Sequence, residues 1–179
     1  MTSDSAVSQM LRDRIRDIPD FPKPGVVFKD ITPMLTDPTA FAAMVEALAS
    51  PLADRGITKV LAVEARGFIP GATLAPVLGA GFVPVRKAGK LPWAVEQAEY
   101  VLEYGTDVLE VHRDALEPGE RVVIVDDVLA TGGTAAAAVR LAQALGGEVV
   151  ACSFLIELAF LGGRAQLPGV EINSLITYD

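Results

Sequence analysis

The stretch VVIVDDVLATGGT, residues 122–134, decides the fold class of this chain of 179 residues. Its first four residues are β-branched and apolar, which is typical of a parallel strand buried on both faces. Asp126 and Asp127 follow at the carboxyl end of this strand, where open α/β sheets bind their ligands. The turn at residues 131–134 then begins an alanine-rich helix. The stretch therefore predicts a strand–loop–helix unit with a ligand site at its turn.

The turn has the composition of a phosphate-binding loop. Ala130, Thr131, Gly132, Gly133 and Thr134 offer backbone N–H groups, small side chains and hydroxyls at a helix N-terminus, where anions bind. The neighbouring acids would repel a phosphate unless they face sugar hydroxyls or a magnesium ion. We therefore predict a ribose 5-phosphate site. A magnesium site without a sugar, or a turn that only caps the helix, are the alternatives.

Cationic side chains follow two earlier predicted strands. Arg66 comes after the first of these strands, and Arg86, Lys87 and Lys90 cluster after the next one. The carboxyl ends of parallel strands meet at one edge of a sheet, so we expect these cations near the acid pair. Such a group suits a polyanion such as pyrophosphate. The alternative for Lys87 and Lys90 is that they are solvated loop charges.

The overall composition narrows the range of functions. The formal net charge is −8, which argues against a nucleic-acid partner or an anionic membrane surface. The 51% hydrophobic content is ample for one domain covering residues 1–179. The acidic N-terminus does not resemble a signal peptide, and no apolar run is long enough to span a membrane.

The few chemically reactive side chains of other types point to no further site. Cys152 lies in an apolar run, which predicts a buried, reduced thiol and agrees with a cytoplasmic location. His112 has no serine or cysteine partner motif nearby. No Cys/His cluster has the spacing of a metal site, so we predict no metal held directly by the protein.

Strands and helices alternate along most of the chain, which predicts a parallel sheet flanked by helices. Helical spacing of apolar residues from Val7 to Ile18 predicts an N-terminal helix, and Val26–Asp30 is a short extended piece. Residues 87–97 are predicted to be a mobile loop. Alternating residues on both sides of Gly105-Thr106 then predict an antiparallel hairpin.

Other segments share the order and spacing of one known family. They are FPKPGVVFKDITP (21–33), EARGF (64–68), RKAGKLP (86–92), LEYG (102–105) and DALEPG (114–119). Together with residues 122–134, they resemble the adenine branch of the type I phosphoribosyltransferases over almost the whole chain. The resemblance implies the type I phosphoribosyltransferase fold, a mainly parallel twisted sheet flanked by helices. It adds an N-terminal helix and hood segment at 1–35 and an inserted flexible loop and hairpin at 87–112.

The resemblance implies a reaction and a set of roles. Adenine and phosphoribosyl pyrophosphate would give AMP and pyrophosphate, with Mg²⁺ carried by the pyrophosphate and a homodimer as the assembly. Residues 130–134 would hold the 5-phosphate, and Asp126 and Asp127 the ribose hydroxyls. Arg66, Lys87 and Lys90 would stabilise the departing pyrophosphate. The loop before Arg66 often holds a non-proline cis peptide in this superfamily, which here would join Glu64 to Ala65.

The base-binding residues also come from the resemblance. Glu103 would be the acid/base that meets N7 of the purine, and Tyr104 would help to close the hairpin. Val27, Phe28 and Lys29 would form the adenine pocket, where the backbone reads the base edge and the ring packs on its face. Lys29 stands where arginine is common, which matters little if the backbone makes the contact.

Two other functions remain open at the level of sequence. The first is the same chemistry on another purine, xanthine or hypoxanthine, because the central motif does not specify the base. The second is a regulator that senses phosphoribosyl pyrophosphate without reacting it. Such a regulator predicts a basic nucleic-acid-binding segment, which this chain lacks, and the chain retains Glu103.

Overall fold

The computed structural model describes residues 3–102 and 105–179, which fall into two compact units, Met1–Ala47 and Leu48–Asp179. The helices are α1 (Ser3–Arg12), α2 (Thr32–Thr36), α3 (Pro38–Ala49), α4 (Phe68–Val77) and α5 (Gly133–Ala144). The strands are β1 (Arg16–Pro19), β2 (Val27–Asp30), β3 (Lys59–Val63), β4 (Gly81–Lys87), β5 (Val95–Leu102), β6 (Gly105–His112), β7 (Arg121–Leu129), β8 (Glu148–Leu158) and β9 (Ile172–Tyr178). Within these residues, no helix combines the length and the hydropathy that a membrane span needs.

The first unit contains a small antiparallel sheet of β1 and β2. The helix predicted to reach Ile18 ends at Arg12 instead, because the following residues pair with β2 from Arg16↔Asp30 to Pro19↔Val27. This pairing outweighs the helical spacing of the side chains. Asp37 caps α3 as a helix-starting aspartate should, with its Oδ1 accepting from two backbone N–H groups at 2.9 and 3.1 Å.

The second unit is built on a seven-stranded sheet with the order β5-β6-β4-β3-β7-β8-β9. The five strands from β4 to β9 in this order are parallel, as the alternation of strands and helices predicts. After β3, the next strand in the chain, β4, lies on one side of β3. The later strands β7, β8 and β9 lie in that order on the other side of β3. The sheet therefore reverses its direction of growth between β3 and β7, which is where ligands bind in open α/β sheets.

The core of the second unit explains why the strand at Val122 forms. Val122, Val123, Ile124 and Val125 are all completely buried. Helix α5 covers one face with small residues, and the neighbouring β8 adds the buried side chains of Cys152 and Phe154. Each large apolar side chain buried in this way stabilises the fold by about 1.5–3 kcal/mol relative to leaving it exposed.

The inserted hairpin consists of β5 and β6, which pair antiparallel from Val95↔His112 to Leu102↔Gly105. Two sequence predictions need correction here. Gly105 and Thr106 lie in β6 rather than in the turn, and β5 begins at Val95, so the connection after β4 is shorter than the loop predicted over residues 87–97. The longer ladder supplies backbone hydrogen bonds that the alternation of side chains does not reveal.

Candidate active site

The acid pair lies in the last part of β7, at the point where that strand loses one neighbour. The pairing of β7 with β3 ends at Ala62↔Val125, whereas its pairing with β8 continues to Leu129↔Glu157. The strand therefore runs past the acids, which the sequence had placed at its end. From Asp126 onward, one edge of β7 faces the turn that follows β3, so the acids lie at the reversal point of the sheet.

The two acids differ in their surroundings. Asp127 is 5% exposed, and its carboxylate forms an ion pair with Nε of Arg66. Asp126 is half-buried, and its Oδ1 accepts a hydrogen bond of 2.8 Å from the backbone N–H of Asp127. Burial and the adjacent Asp127 carboxylate hold the pKa of Asp126 well above its usual range.

The turn after β3 brings Arg66 to the acid pair. The Glu64–Ala65 peptide bond is cis, as the resemblance implied. Gly67 packs directly against the acids, because a Cβ there would lie 2.5 Å from the Val63 carbonyl oxygen and 2.7 Å from Asp126 Oδ1. The Arg66 side chain remains 49% exposed. A pyrophosphate group bound by Arg66 would therefore share this side chain with the Asp127 carboxylate.

The predicted phosphate loop encloses a small cavity of about 70 Å³. Asp126, Thr131, Gly132 and Thr134 contribute to its lining. Gly132 has a φ of +85°, which side-chain-bearing residues rarely adopt, and α5 begins directly after it. The cavity exceeds the volume of one water molecule, about 30 Å³ in the liquid. Asp126 and the helix N-terminus therefore share one concave site.

Two of the cations predicted to follow β4, Arg86 and Lys87, lie at the end of that strand and are held by carboxylates. Lys87 Nζ lies 3.1 Å from Asp107 Oδ2 on the hairpin, and Asp107 raises the pKa of Lys87. Arg86 Nε donates to Glu64 Oε2 at 2.8 Å, and its Nη1 donates to the carbonyl oxygen of Lys90 at 3.1 Å. Lys90 itself is exposed. These contacts join the end of β4 to both the Arg66 turn and the hairpin.

The predicted base-binding residues belong to the first unit. Val27 is 48% exposed, and the ring of Phe28 packs edge-on against Phe21 with centroids 5.2 Å apart. Lys29 Nζ contacts both carboxylate oxygens of Asp17 at 2.7 and 2.9 Å. The side chain of Lys29 therefore has a carboxylate partner of its own.

The remaining predictions concern Glu103, Tyr104, Cys152 and a metal cluster. Glu103 and Tyr104 lie outside the described residues. Cys152 is fully buried and burial raises its pKa to about 12, which agrees with the predicted inert thiol. Among residues 3–102 and 105–179, no three His, Cys, Asp or Glu side chains group as metal ligands would.

Comparison with known proteins decides the family. The phosphoribosyl transferase domain family matches residues 33–165. The adenine phosphoribosyltransferase of Geobacter metallireducens is 58% identical over 168 residues, covering 94% of this chain and 98% of that protein. The crystal structure of adenine phosphoribosyltransferase from Rhodothermus marinus superposes with a TM-score of 0.94 at 52% identity, covering 97% of this chain and 99% of that one.

The chain belongs to the adenine phosphoribosyltransferase family. A more distant structure in this family comes from Saccharomyces cerevisiae, with a TM-score of 0.91, 39% identity, and coverage of 96% of this chain and 99% of that one. That adenine phosphoribosyltransferase was crystallised with adenine and an imino-altritol 1,6-bisphosphate. The fold predicted from residues 122–134 is thus confirmed both by the sheet and by these structures.

Sequence reasoning missed several residues that contact the site of this adenine phosphoribosyltransferase family member. Asp107 contacts Lys87 across the hairpin, and Tyr100 donates to the same carboxylate at 3.2 Å. Gly163 packs against Gly132, whose Cβ would collide with the Gly163 carbonyl oxygen. The partners in these contacts are far apart in sequence, so no local motif indicates them. The only signal was the glycine pair at residues 162–163 in an otherwise apolar region.

Proposed function

We propose that this chain transfers the 5-phosphoribosyl group from phosphoribosyl pyrophosphate to N9 of adenine, giving AMP and pyrophosphate. The observation that carries the proposal is the concave site that Asp126 shares with the phosphate loop, beside the Asp127–Arg66 ion pair and at the reversal point of the sheet. Membership of the adenine phosphoribosyltransferase family supports adenine as the base.

The sugar phosphate would lie along the end of β7 and the start of α5. The backbone N–H groups and hydroxyls of residues 130–134 would bind the 5-phosphate at the positive end of the helix dipole. Asp126 and Asp127 would bind the 2- and 3-hydroxyls of ribose. Because Arg66 pairs with Asp127, the site presents less negative charge to the phosphates than two unpaired carboxylates would.

The pyrophosphate would contact Arg66, Lys87 and Lys90, which lie at or just beyond the carboxyl ends of β3 and β4. Mg²⁺ fits this site as an ion carried by the substrate, because Mg²⁺ at phosphates is usually held by one or two carboxylates together with phosphate oxygens. The ion would supply charge neutralisation for the leaving pyrophosphate. The phosphate oxygens of the substrate would hold the ion, and Asp126 and Asp127 would bind the ribose hydroxyls beside it.

The bond changes assign each group a task. The bond between C1 of ribose and the pyrophosphate oxygen breaks, with its electron pair leaving on pyrophosphate. N9 of adenine releases its proton to water, and the electron pair left on N9 forms the new bond to C1. The acid pair favours the positive charge that develops on the sugar, while Arg66, Lys87 and Lys90 stabilise the charge on the leaving group.

The base would be held by Val27, Phe28 and Lys29, through the backbone and the face of the Phe28 ring. Glu103 would hydrogen-bond N7 and make N9 a workable nucleophile. Tyr104 would help to close the hairpin over the substrates. A homodimer and a cytoplasmic location complete the proposal, and both remain predictions of the family resemblance.

The direct test incubates the full chain with Mg²⁺, phosphoribosyl pyrophosphate and adenine. We expect AMP and pyrophosphate to form in equal amounts, measured by chromatography and a phosphate-release assay. The variant Asp114→Asn, which changes an exposed acid, should match the wild type. Pyrophosphate release without AMP would show hydrolysis instead of transfer and would overturn the proposal.

The role of Glu103 is tested by Glu103→Gln. We expect kcat to fall by about tenfold or more, because general acid–base groups typically contribute about 10²–10⁴-fold, while the KM for phosphoribosyl pyrophosphate changes little. Steady-state kinetics with both substrates give the two parameters separately. Turnover equal to that of the wild type would remove Glu103 from the mechanism.

A further inference from the structure

The phosphate loop is packed backbone against backbone on a second segment of the chain, the turn at residues 162–166 between β8 and β9. A Cβ added at Gly132 would collide with the Gly163 carbonyl oxygen and lie 3.0 Å from Cβ of Gln166. Conversely, a Cβ added at Gly163 would collide with the Ala130 carbonyl oxygen and lie 3.1 Å from the Gly132 nitrogen. Each segment therefore leaves no room for the other to move closer.

This turn is itself held in place by an ion pair. Nε and Nη2 of Arg164 donate to the two carboxylate oxygens of Glu157 at 2.6 and 2.7 Å. Glu157 is 4% exposed at the end of β8, and Arg164 lowers its pKa. A two-bond contact to a buried carboxylate restricts the guanidinium in both position and orientation. Arg164 directly follows Gly163, so the ion pair also restricts Gly163.

We propose that Arg164, held by Glu157, is a positioning residue that keeps the phosphate loop in its binding geometry through the contact between Gly163 and Gly132. The inference rests on the proposed function, in which residues 130–134 bind the 5-phosphate. Arg164 acts through packing, because the Glu157 carboxylate neutralises its charge.

The energetic reason lies in the geometry of anion binding. Backbone N–H groups bind a phosphate only while they point at it together, and a displacement of about 1 Å in a binding group can lower the reaction rate by roughly 100-fold. The left-handed conformation of Gly132 directs the chain into α5, and Gly163 is the backbone that presses on it. A turn released from Glu157 would let the loop relax away from the phosphate.

The test compares Arg164→Gln, Arg164→Lys and a double variant, Glu157→Gln with Arg164→Gln, which avoids leaving a buried unpaired carboxylate. The matched control is Arg55→Gln, which breaks the more exposed Arg55–Glu171 pair of 3.1 Å in the same unit. Titration calorimetry gives the Kd of phosphoribosyl pyrophosphate and of ribose 5-phosphate. Kinetics give the KM for adenine, and thermal melting gives the Tm.

We expect Arg164→Gln and the double variant to raise both Kd values by about tenfold, within the loss that a displaced binding group can cause, with the KM for adenine unchanged. Arg164→Lys should recover part of the affinity. Kd values equal to those of Arg55→Gln would overturn the inference, as would equal losses for adenine and the sugar phosphates. A wild type that binds no phosphoribosyl pyrophosphate would instead overturn the proposed function.

A second measurement needs no variant. In hydrogen–deuterium exchange of the wild type, ribose 5-phosphate should slow exchange of the amides at residues 162–167 together with those at residues 130–135. Protection confined to residues 130–135 would show that the turn is not coupled to the phosphate loop and would overturn the inference.

Discussion

The central residue-level feature of this site is the unequal pair of acids. Asp127 is buried and pairs with Arg66, whereas Asp126 has its charge disfavoured by burial and by Asp127. The sequence raised the difficulty that two carboxylates would repel a phosphate. The structure relieves the difficulty in two ways, because Arg66 neutralises one acid and the raised pKa of the other favours its protonated form.

The raised pKa of Asp126 predicts how stability changes in Asp126→Asn. The folded state binds this proton more tightly than the unfolded state does, so wild-type stability falls as pH rises from the ordinary carboxyl pKa of about 3.9 to the raised value. Asparagine has no such proton. We expect the variant to have a higher Tm at pH 7, by about 2–4 °C for each kcal/mol gained, and to lose phosphoribosyl transfer.

Thermal melting from pH 4 to pH 8 checks this prediction, with Asp114→Asn as the exposed control. The advantage of Asp126→Asn should shrink as the pH falls toward the ordinary pKa, because both states of the wild type are then protonated. A variant less stable than the wild type at pH 7 would show that Asp126 is ionised and well solvated in the folded protein.

Gly67 is the residue at which a single methyl group should disturb the acids. In Gly67→Ala the new Cβ would overlap Asp126 Oδ1 and the Val63 carbonyl oxygen, and such overpacking typically costs about 1–3 kcal/mol. Gly81→Ala is the matched control, because its Cβ would meet only the flexible Lys59 side chain, at 3.2 Å. We expect a lower Tm and a higher KM for phosphoribosyl pyrophosphate in Gly67→Ala alone. Equal behaviour of the two variants would contradict the packing described here.

At the level of elements, the site is made by the order of the strands. Asp127 and Arg66 meet because β3 and β7 are neighbours and because the sheet grows away from this junction in both directions. The sequence predicted that these residues share an edge of the sheet, since both follow parallel strands. It did not predict that they are adjacent, because strand order depends on long-range pairing.

Local sequence patterns predicted helices and strands correctly where the packing of side chains agrees with the pattern. They failed where hydrogen bonding to a strand distant in sequence outweighs it. Strand β3 has the predicted bounds of Lys59–Val63, and the buried run at Val122 is a strand as expected. By contrast, the apolar spacing up to Ile18 indicates a helix, yet the segment from Arg16 is a strand because β2 supplies hydrogen bonds to it. Backbone partners that are distant in sequence leave no periodic signal.

The hairpin has a specific role in this account, which Asp107→Asn tests. Asp107 contacts Lys87 at 3.1 Å and accepts a hydrogen bond of 3.2 Å from the Tyr100 hydroxyl. Because Lys87 is 55% exposed, the ion pair is worth about 0.2–1 kcal/mol at most. We expect the KM for phosphoribosyl pyrophosphate to rise by up to about fivefold, since Lys87 loses its anchor.

The control for this prediction is Glu96→Gln, which removes a 3.6 Å pair with Arg113 from the same hairpin without touching Lys87. Steady-state kinetics and the salt dependence of KM measure the effect. A KM lower than that of the wild type would show that Asp107 competes with pyrophosphate for Lys87 instead of positioning it.

At the scale of the whole molecule, the residues proposed to bind the substrates belong to two compact units of the chain. The sugar phosphate and pyrophosphate residues lie in Leu48–Asp179, and the proposed adenine residues Val27, Phe28 and Lys29 lie in Met1–Ala47. The central motif could be interpreted from chemistry alone, because phosphate and ribose impose clear demands on charge and backbone. The base could not be identified in this way, since its proposed contacts are backbone and aromatic ones that many residue types can make.

The choice of base is therefore the central claim, and one measurement tests it most directly. The kcat/KM of the full chain is determined for adenine, hypoxanthine, guanine and xanthine under the same conditions, with saturating Mg²⁺ and phosphoribosyl pyrophosphate. We predict that adenine gives AMP with a kcat/KM at least about 100-fold above that of the other three bases, because a site that hydrogen-bonds a specific edge rejects bases that leave its polar groups unpaired. A higher kcat/KM for any of the other three bases would contradict the account.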